Sequence, residues 1–380
     1  MIFRPRNETE IAEIVHCARA GGGRLVAEGG ATRAGLPGAR REGAQTVSTR
    51  DIAGIVHYDP AEMTLTARAG TPVAEIEEAV AAHGQMLPFE PPDPRALYAT
   101  AGAPTLGGMV AAGFSGPRRV QAGSLRDALL GARFVNGRGE AIKAGGRVVK
   151  NVTGLDLARL QVGALGRFGV LTEVCLKLLP RPAARLTLAL DGLDDARAVE
   201  ALSAALTTPA EVTGAAHDSA RKLTLIRLEN DAESIAVRAS ALERTLATFA
   251  APRRLDADEA DALWRDVRDL GGLAATGAAC LWRIATAPSR AARIAADAMR
   301  VLPMRALYDW GGGLVHLAAD CDGAACRAAV RRAVGEGGHA RLLRGPALAA
   351  APAPDPAGAL KERIARAFDP DGVFALAREA

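Results

Sequence analysis

The first residues whose type and placement suggest chemistry are the paired glycines in Glu28-Gly29-Gly30-Ala31-Thr32-Arg33-Ala34-Gly35. The preceding stretch, Arg24 to Glu28, reads as a short strand. A strand that breaks into two glycines lets successive backbone N–H groups converge on one point, and such a nest binds anions. Each charge-assisted hydrogen bond there contributes roughly 1.5–3 kcal/mol. Glycine suits the position because a Cβ blocks close approach and disfavours positive φ. A pyrophosphate fits this chemistry. A plain structural loop fits the same residues, and the run alone does not decide between them.

Four more runs follow. Thr105-Leu106-Gly107-Gly108-Met109-Val110-Ala111-Ala112-Gly113-Phe114-Ser115-Gly116 is built of small residues, which permit packing against something flat and large or close backbone packing within the domain. Gly123-Ser124-Leu125-Arg126-Asp127 comes next, then Lys150-Asn151-Val152-Thr153-Gly154-Leu155-Asp156-Leu157. The last is Gly163-Ala164-Leu165-Gly166-Arg167-Phe168-Gly169-Val170-Leu171-Thr172-Glu173.

In this order the five runs resemble flavoproteins of the vanillyl-alcohol-oxidase family, which carry a PCMH-type FAD-binding domain. Within that family the chain most resembles the FAD-binding subunits of bacterial glycolate oxidases. The runs Gly113 to Arg119, Val149 to Gly154 and Phe89-Glu90-Pro91-Pro92-Asp93-Pro94 carry the narrower likeness. The resemblance is strong over residues 1–182 and continues more weakly to Phe368-Asp369-Pro370-Asp371-Gly372.

The resemblance implies FAD as cofactor, held noncovalently because no histidine stands at a flavin-linkage position. It implies that Gly29, Gly30, Ala31 and Thr32 hold the pyrophosphate, and that Thr105, Gly107, Gly108 and Gly113 run past the cofactor. Arg126, Asp127, Lys150, Asn151, Thr153 and Gly154 are expected on the isoalloxazine side. Gly169, Val170 and Thr172 are expected to meet the adenine or ribose end through main chain. Reduced flavin carries negative charge near N1, and a cation there raises its potential. Arg126 and Lys150 are candidates; an Arg126–Asp127 pair and a solvated strand end are their plain readings. The implied partners are a homologous catalytic flavoprotein and an iron–sulfur subunit, with a small 2-hydroxy acid as substrate of the assembly. The implied location is the cytoplasm, with membrane association only through partners.

The sequence also departs from the family. Leu155 stands where tyrosine is common, and Phe374-Ala375-Leu376-Ala377-Arg378 replaces a closing Asn-Pro-Gly-Arg. The His-x-Gly-Asp-Gly-Asn-x-His element of the catalytic relatives has no counterpart; the nearest run is Trp310-Gly311-Gly312-Gly313-Leu314-Val315-His316. His316 reads as a half-buried strand histidine, so no catalytic residue is assigned. A partner subunit that binds flavin without a base of its own shows this pattern. A stand-alone FAD-dependent 2-hydroxy-acid dehydrogenase and a scaffold with a degenerate flavin domain remain as alternatives.

The other histidines lie singly, and Cys321-x4-Cys326 reads as structural, so no metal is expected. No Cys-x2-Cys-x2-Cys run is present for an iron–sulfur cluster. Arg283, on a predicted strand, grips a carboxylate if it faces inward; the adopted reading is an outward surface arginine. The one Gly-x-Gly-x-x-Ala match, Gly335 to Ala340, follows a helix and precedes a strand, the reverse of a dinucleotide site. No Gly-Lys dipeptide exists, which excludes a P-loop.

The elements that must position these residues follow from periodicity. A helix is expected over 7–20, capped by Asn7 and stopped by Gly21. Strands are expected over 63–69 and 170–178, a helix opens at Thr71-Pro72, and Asn136-Gly137 marks a hairpin turn. Residues 86–125 are rich in glycine and proline and weakly periodic. Pro180-Arg181-Pro182 marks a boundary, beyond which strands and amphipathic helices alternate in a repeated β-α-β order. The expected class is α+β: a two-subdomain FAD domain over 1–182, a ferredoxin-like cap over 183–345, and a linker and helix over 346–380 that return to the first domain. At 380 residues, 24% charged and net +4, with basic residues dispersed, the chain shows neither a nucleic-acid tract nor a membrane-binding tract. The start lacks a signal peptide's apolar core.

Overall fold

A computed structural model describes residues 1–37, 43–146, 155–321, 323–346 and 358–374. The chain divides into two compact units. The first contains residues 1–114 and 124–181 with the C-terminal segment; the second contains residues 115–123 and 182–348.

The first unit opens with the helix Glu8–Ala20. The Asn7 side chain accepts from the Glu10 N–H at 2.9 Å, and the Glu10 carboxylate accepts from the Arg6 N–H at 2.8 Å. Two orphan donors of the helix start are thereby satisfied. Its apolar stripe, Ile11, Val15 and Ala18, packs with Leu25 and Val47. Those two residues lie in a parallel sheet ordered Ile2–Phe3, Gln45–Ser48, Leu25–Glu28. A second, antiparallel sheet runs Ile55–Asp59, Thr64–Arg68, Val170–Lys177, Leu129–Val135, Ala141–Gly145. Leu65, Ala67, Phe134, Val174 and Leu176 from this sheet pack with Ile76 and Val80 of the helix Val73–Ala81. The weakly periodic stretch holds four short helices, Arg95–Tyr98, Leu106–Ala112, Arg119–Ala122 and Leu125–Ala128.

The C-terminal helix Gly358–Phe368 ends at a tight turn within this unit. The buried Asp369 carboxylate accepts from the N–H groups of Val373 and Phe374 at 2.8 and 2.7 Å. Val373 and Phe374 join the Ile11–Val15 core, and the Val373 carbonyl accepts from the Leu25 N–H at 2.9 Å.

The second unit is a single sheet of eight strands. The chain runs β-α-β-β-α-β twice, the order of paired β-α-β units expected from the sequence. The first half orders its strands 253–254, 184–191, 223–230, 212–218; the second continues 305–309, 314–319, 280–286, 338–344. In chain order that is 4-1-3-2 followed by its reverse, 2-3-1-4, joined where His217 and Asp218 pair with Tyr308 and Leu307. Periodicity missed Val212–Asp218 because its centre is Gly214-Ala215-Ala216, which shows no alternation of large side chains. It missed the helix Ala257–Asp269 because the apolar stripe is only Ala260, Trp264 and Val267 among charged residues.

Residues 115–123 belong to this sheet unit although their neighbours in sequence do not. Arg118 forms a bidentate pair with Glu229 at 2.9 and 2.8 Å, with both side chains buried. The Trp310 indole N–H donates to the Gly116 carbonyl at 3.1 Å. Such a pair, taken from water, holds only with this fork-on-fork geometry.

In the first unit Glu8 faces Arg133, which donates to both carboxylate oxygens at 2.9 and 2.5 Å, and the Thr172 hydroxyl donates at 2.7 Å. The Arg133 hydrogen bond holds the Glu8 carboxyl below its ordinary 4.5. A depressed carboxylate contributes stability that is present above its unfolded pKa and lost as pH falls through the folded one. Glu8→Gln is therefore expected to cost about 1.5 kcal/mol at neutral pH. In denaturant titrations the gap to the parent should close as the pH falls below 4.5; a gap independent of pH contradicts the assignment.

Candidate cofactor site

A groove between the two sheets of the first unit opens to solvent, with about 860 Å³ of empty space counted out to its mouth. Its lining is mostly glycine, alanine and threonine, including Gly29 to Thr32 and part of Thr105 to Ala112, with Glu28, Arg33, Leu36, Leu165 and Leu171 as the large side chains. Such walls admit a large planar or extended group against main chain rather than against side-chain tips.

The glycine loop is shaped by what holds its carbonyls. Glu28 O accepts from Thr49 N–H at 2.9 Å, and Gly29 O accepts from Arg50 Nε at 3.0 Å. Ala31 O and Arg33 O accept from Ala34 and Leu36 N–H at 3.3 and 3.0 Å, and Thr32 O accepts from the Thr100 hydroxyl at 3.1 Å. With the carbonyls engaged, the N–H groups of Gly29 to Arg33 are left for another acceptor, since among the described residues none takes them. Five successive donors bordering one groove form an anion nest.

Why these residues are glycine differs from the sequence expectation. A Cβ on Gly29 would lie 2.1 Å from the Thr105 hydroxyl oxygen, and one on Gly30 would lie 1.6 Å from the Ala103 carbonyl oxygen. Both glycines are needed so that the loop lies flat on the segment Gly102 to Thr105. The left-handed residue is Ala31, with φ 58°, a position that costs an alanine about 1 kcal/mol.

The remaining expected residues fall in three groups. Thr105, Gly107, Gly108 and Gly169 line the groove with the glycine loop. Thr105 caps the helix Leu106–Ala112, whose end is turned by Gly113 at φ 69°. Gly169, at φ 135°, lies so close to Val135 that a Cβ would be 2.1 Å from its carbonyl oxygen. A second group lies in the same unit but outside the lining. Val170 is buried in the core, and the Thr172 hydroxyl is committed to Glu8. Arg126 is exposed, and Asp127 accepts from the Ser124 N–H and hydroxyl at 2.8 and 2.7 Å. Lys150, Asn151, Thr153 and Gly154 lie outside the described residues.

The residue that sequence reading passed over is Arg33, the one cation in the groove wall among the described residues. Its Nε is buried with no acceptor among the described residues, while Nη2 donates to the Pro92 carbonyl at 3.4 Å. The guanidinium lies 5.8 Å from the Phe114 ring centroid. Burial lowers its pKa to about 10, so it remains a cation at neutral pH beside the nest. The available signal was the single basic residue following the glycine pair.

A second constellation lies in the sheet unit. Arg283 is the cross-strand neighbour of His316 on one side and of Arg341 on the other. Its guanidinium lies 5.1 Å from the Trp310 ring centroid, and Arg119 lies 4.3 Å from the same ring. This corrects the outward reading of Arg283: burial, then Arg119 and Arg341, lower its pKa to about 10 against the opposing pull of Asp309. His316 is buried and not half-buried, and its Nδ1 finds no partner among the described residues. Burial and Arg283 push it down to about 3, so it is a neutral imidazole at physiological pH.

Fold and groove together define a flavin-binding oxidoreductase domain. Residues 1–145 match the profile of an FAD binding domain. The fold is shared with p-cresol methylhydroxylase, solved with substrate bound, at a TM-score of 0.73 and 14% identity over 98% of this chain and 87% of that one. Over 352 residues the chain is 37% identical to glycolate oxidase subunit GlcE of Escherichia coli (strain K12), covering 92% of this chain and 91% of that protein. It belongs to the family of glycolate oxidase GlcE subunits within the FAD-dependent oxidoreductases. Glycolate oxidase subunit GlcD of Bacillus subtilis (strain 168) is 30% identical over 187 residues, which span 49% of this chain and 38% of that protein.

Two substitutions test the groove. Gly30→Val drives a side chain into the Ala103 carbonyl and is expected to abolish flavin retention. Arg33→Met keeps the fold and is expected to weaken FAD binding about tenfold, the equivalent of one charge-assisted hydrogen bond. Fluorescence titration of the flavin-free protein reads both; unchanged affinity in Arg33→Met removes Arg33 from the site.

Proposed function

We propose that this chain is the FAD-holding subunit of a multi-subunit 2-hydroxy-acid oxidase acting on glycolate. In this reading FAD is bound noncovalently, and the partners are a homologous catalytic flavoprotein and an iron–sulfur subunit. The observation that carries the reading is the row of backbone donors from Gly29 to Arg33 bordering a groove walled by glycine and alanine. When bound, FAD supplies a two-electron acceptor. The protein's part is to neutralise the pyrophosphate with the nest and Arg33, and to exclude water along the Gly107–Ala112 wall. Thr105 fixes the start of that wall, and Arg50 fixes the loop through the Gly29 carbonyl. Arg126 and Lys150 stay as the proposed cations for the isoalloxazine side. Among the described residues no helix is long and apolar enough to cross a membrane, which suits a chain that meets membranes only through its partners in the cytoplasm.

The arginine row favours a second reading, in which the chain binds a 2-hydroxy acid by itself. Arg119 and Arg283 at Trp310, with Arg341 across the strand from Arg283, form a cationic patch suited to a small carboxylate, with neutral His316 adjacent. At a pKa of about 3, His316 is a hydrogen-bonding group and a poor general base.

The two readings separate on the purified chain. Acid precipitation should release all flavin into the supernatant. Glycolate should bleach the flavin only when the flavoprotein and iron–sulfur partners are co-expressed. Bleaching of the isolated chain by glycolate, lost in Arg283→Leu, establishes the second reading; flavin that stays with the precipitate overturns noncovalent binding.

A further inference from the structure

The chain has five cysteines, and three of them converge in the sheet unit. Cys280 begins the strand Cys280–Thr286, Cys321 lies in the loop after the strand Leu314–Ala319, and Cys326 sits in the first turns of the helix Gly323–Val334. Their three sulfurs all lie within 4.8 Å of one another. Among the described residues this is the one group of three metal-ligating side chains drawn so close together. Cys280 and Cys326 are buried, and Cys321 is partly exposed, which leaves one side of the cluster reachable from solvent.

The geometry fits a metal better than it fits apolar filling. A tetrahedral Zn²⁺ with bonds of about 2.3 Å holds its sulfurs about 3.8 Å apart, so side-chain rotations of about 1 Å bring these thiols to ligand positions. A second observation points into the cluster. The Trp282 indole N–H, two residues along the strand from Cys280 and in the same core cluster as Cys280 and Cys326, is buried with no hydrogen-bond partner among the described residues. A buried N–H donor in the same core cluster as the thiols is of the kind a metal-bound thiolate uses as an outer partner.

We propose that Cys280, Cys321 and Cys326 form a three-thiolate site for Zn²⁺, with the fourth position open to solvent on the Cys321 side. Binding forms three S–Zn bonds and releases three thiol protons to solvent, with no change of oxidation state. The complex of three thiolates and one Zn²⁺ carries a net single negative charge, which the Trp282 N–H and the open, hydrated position moderate. The ion ties a strand, a loop and a helix of the second half-sheet together. The expectation that no metal binds, drawn from Cys321-x4-Cys326 alone, did not see Cys280, which lies 41 residues before Cys321 in the chain.

The test uses the full chain, reduced, incubated with Zn²⁺ and desalted, with metal measured by mass spectrometry and Co²⁺ as an optical probe. One Zn²⁺ per chain and a thiolate-to-cobalt absorption band are expected. Cys326→Ser and Cys321→Ser should each retain at least tenfold less metal, while Cys17→Ser and Cys175→Ser should match the parent. Cys321 is partly exposed, so its variant decides the matter if Cys326→Ser fails to fold; flavin content and circular dichroism check folding. Retention equal in Cys321→Ser and parent overturns the site. So does a pair of these thiols closing to a disulfide in air with no metal uptake.

Discussion

The first unit depends on a mutual contact between two main chains. A Cβ on Gly30 would lie 1.6 Å from the carbonyl oxygen of Ala103, and one on Gly102 would lie 1.8 Å from that of Gly30. Each backbone occupies the space where the other's side chain would be. With the loop pressed flat, carbonyls of Glu28, Gly29 and Thr32 turn to Thr49, Arg50 and Thr100, and the N–H groups of Gly29 to Arg33 are left without a partner among the described residues. The row of open N–H donors is thus a by-product of how two loops pack. The strained backbone at Ala31 is sustained by the same contacts.

The sheet unit solves a different problem. Two β-α-β-β-α-β halves meet through their second strands and share one sheet, leaving only Arg253–Arg254 and Gly338–Arg344 as outer strands. The first of these is two residues long and charged, and the second carries His339, Arg341 and Arg344, both common ways to discourage edge pairing. The central strand of the second half, Cys280–Thr286, carries Cys280 at its start and Arg283 three residues on. Two polar clusters therefore sit on one strand, and the backbone fixes their separation.

Much of this was legible in the sequence. The helix from Glu8, the strands at 64–68 and 170–177 and the boundary near Pro182 follow from capping and periodicity. The glycine runs marked the groove wall because small residues in order have few other uses. What was hidden depends on partners far away in the chain. Arg118 belongs with the sheet unit because of Glu229, 111 residues later. Arg283 was taken for a surface residue because alternation along a strand says which residues share a face and not what covers that face. Trp310 does the covering. Thr172 sits on a strand in the right run, yet its hydroxyl is committed to Glu8.

The turn at Asp369 has a consequence for the order of events in synthesis. Val373 and Phe374 fill the core beside Ile11 and Val15, and Leu25 donates to the Val373 carbonyl. The intervening sheet unit is made first and is continuous from Pro182 onward apart from residues 115–123. On a ribosome, where domains fold as they emerge, the amino-terminal half must wait with a gap in its core until residue 374 has left the exit tunnel. A chain truncated before Asp369 would meet cellular proteases with the core around Ile11 and Val15 lacking Val373 and Phe374.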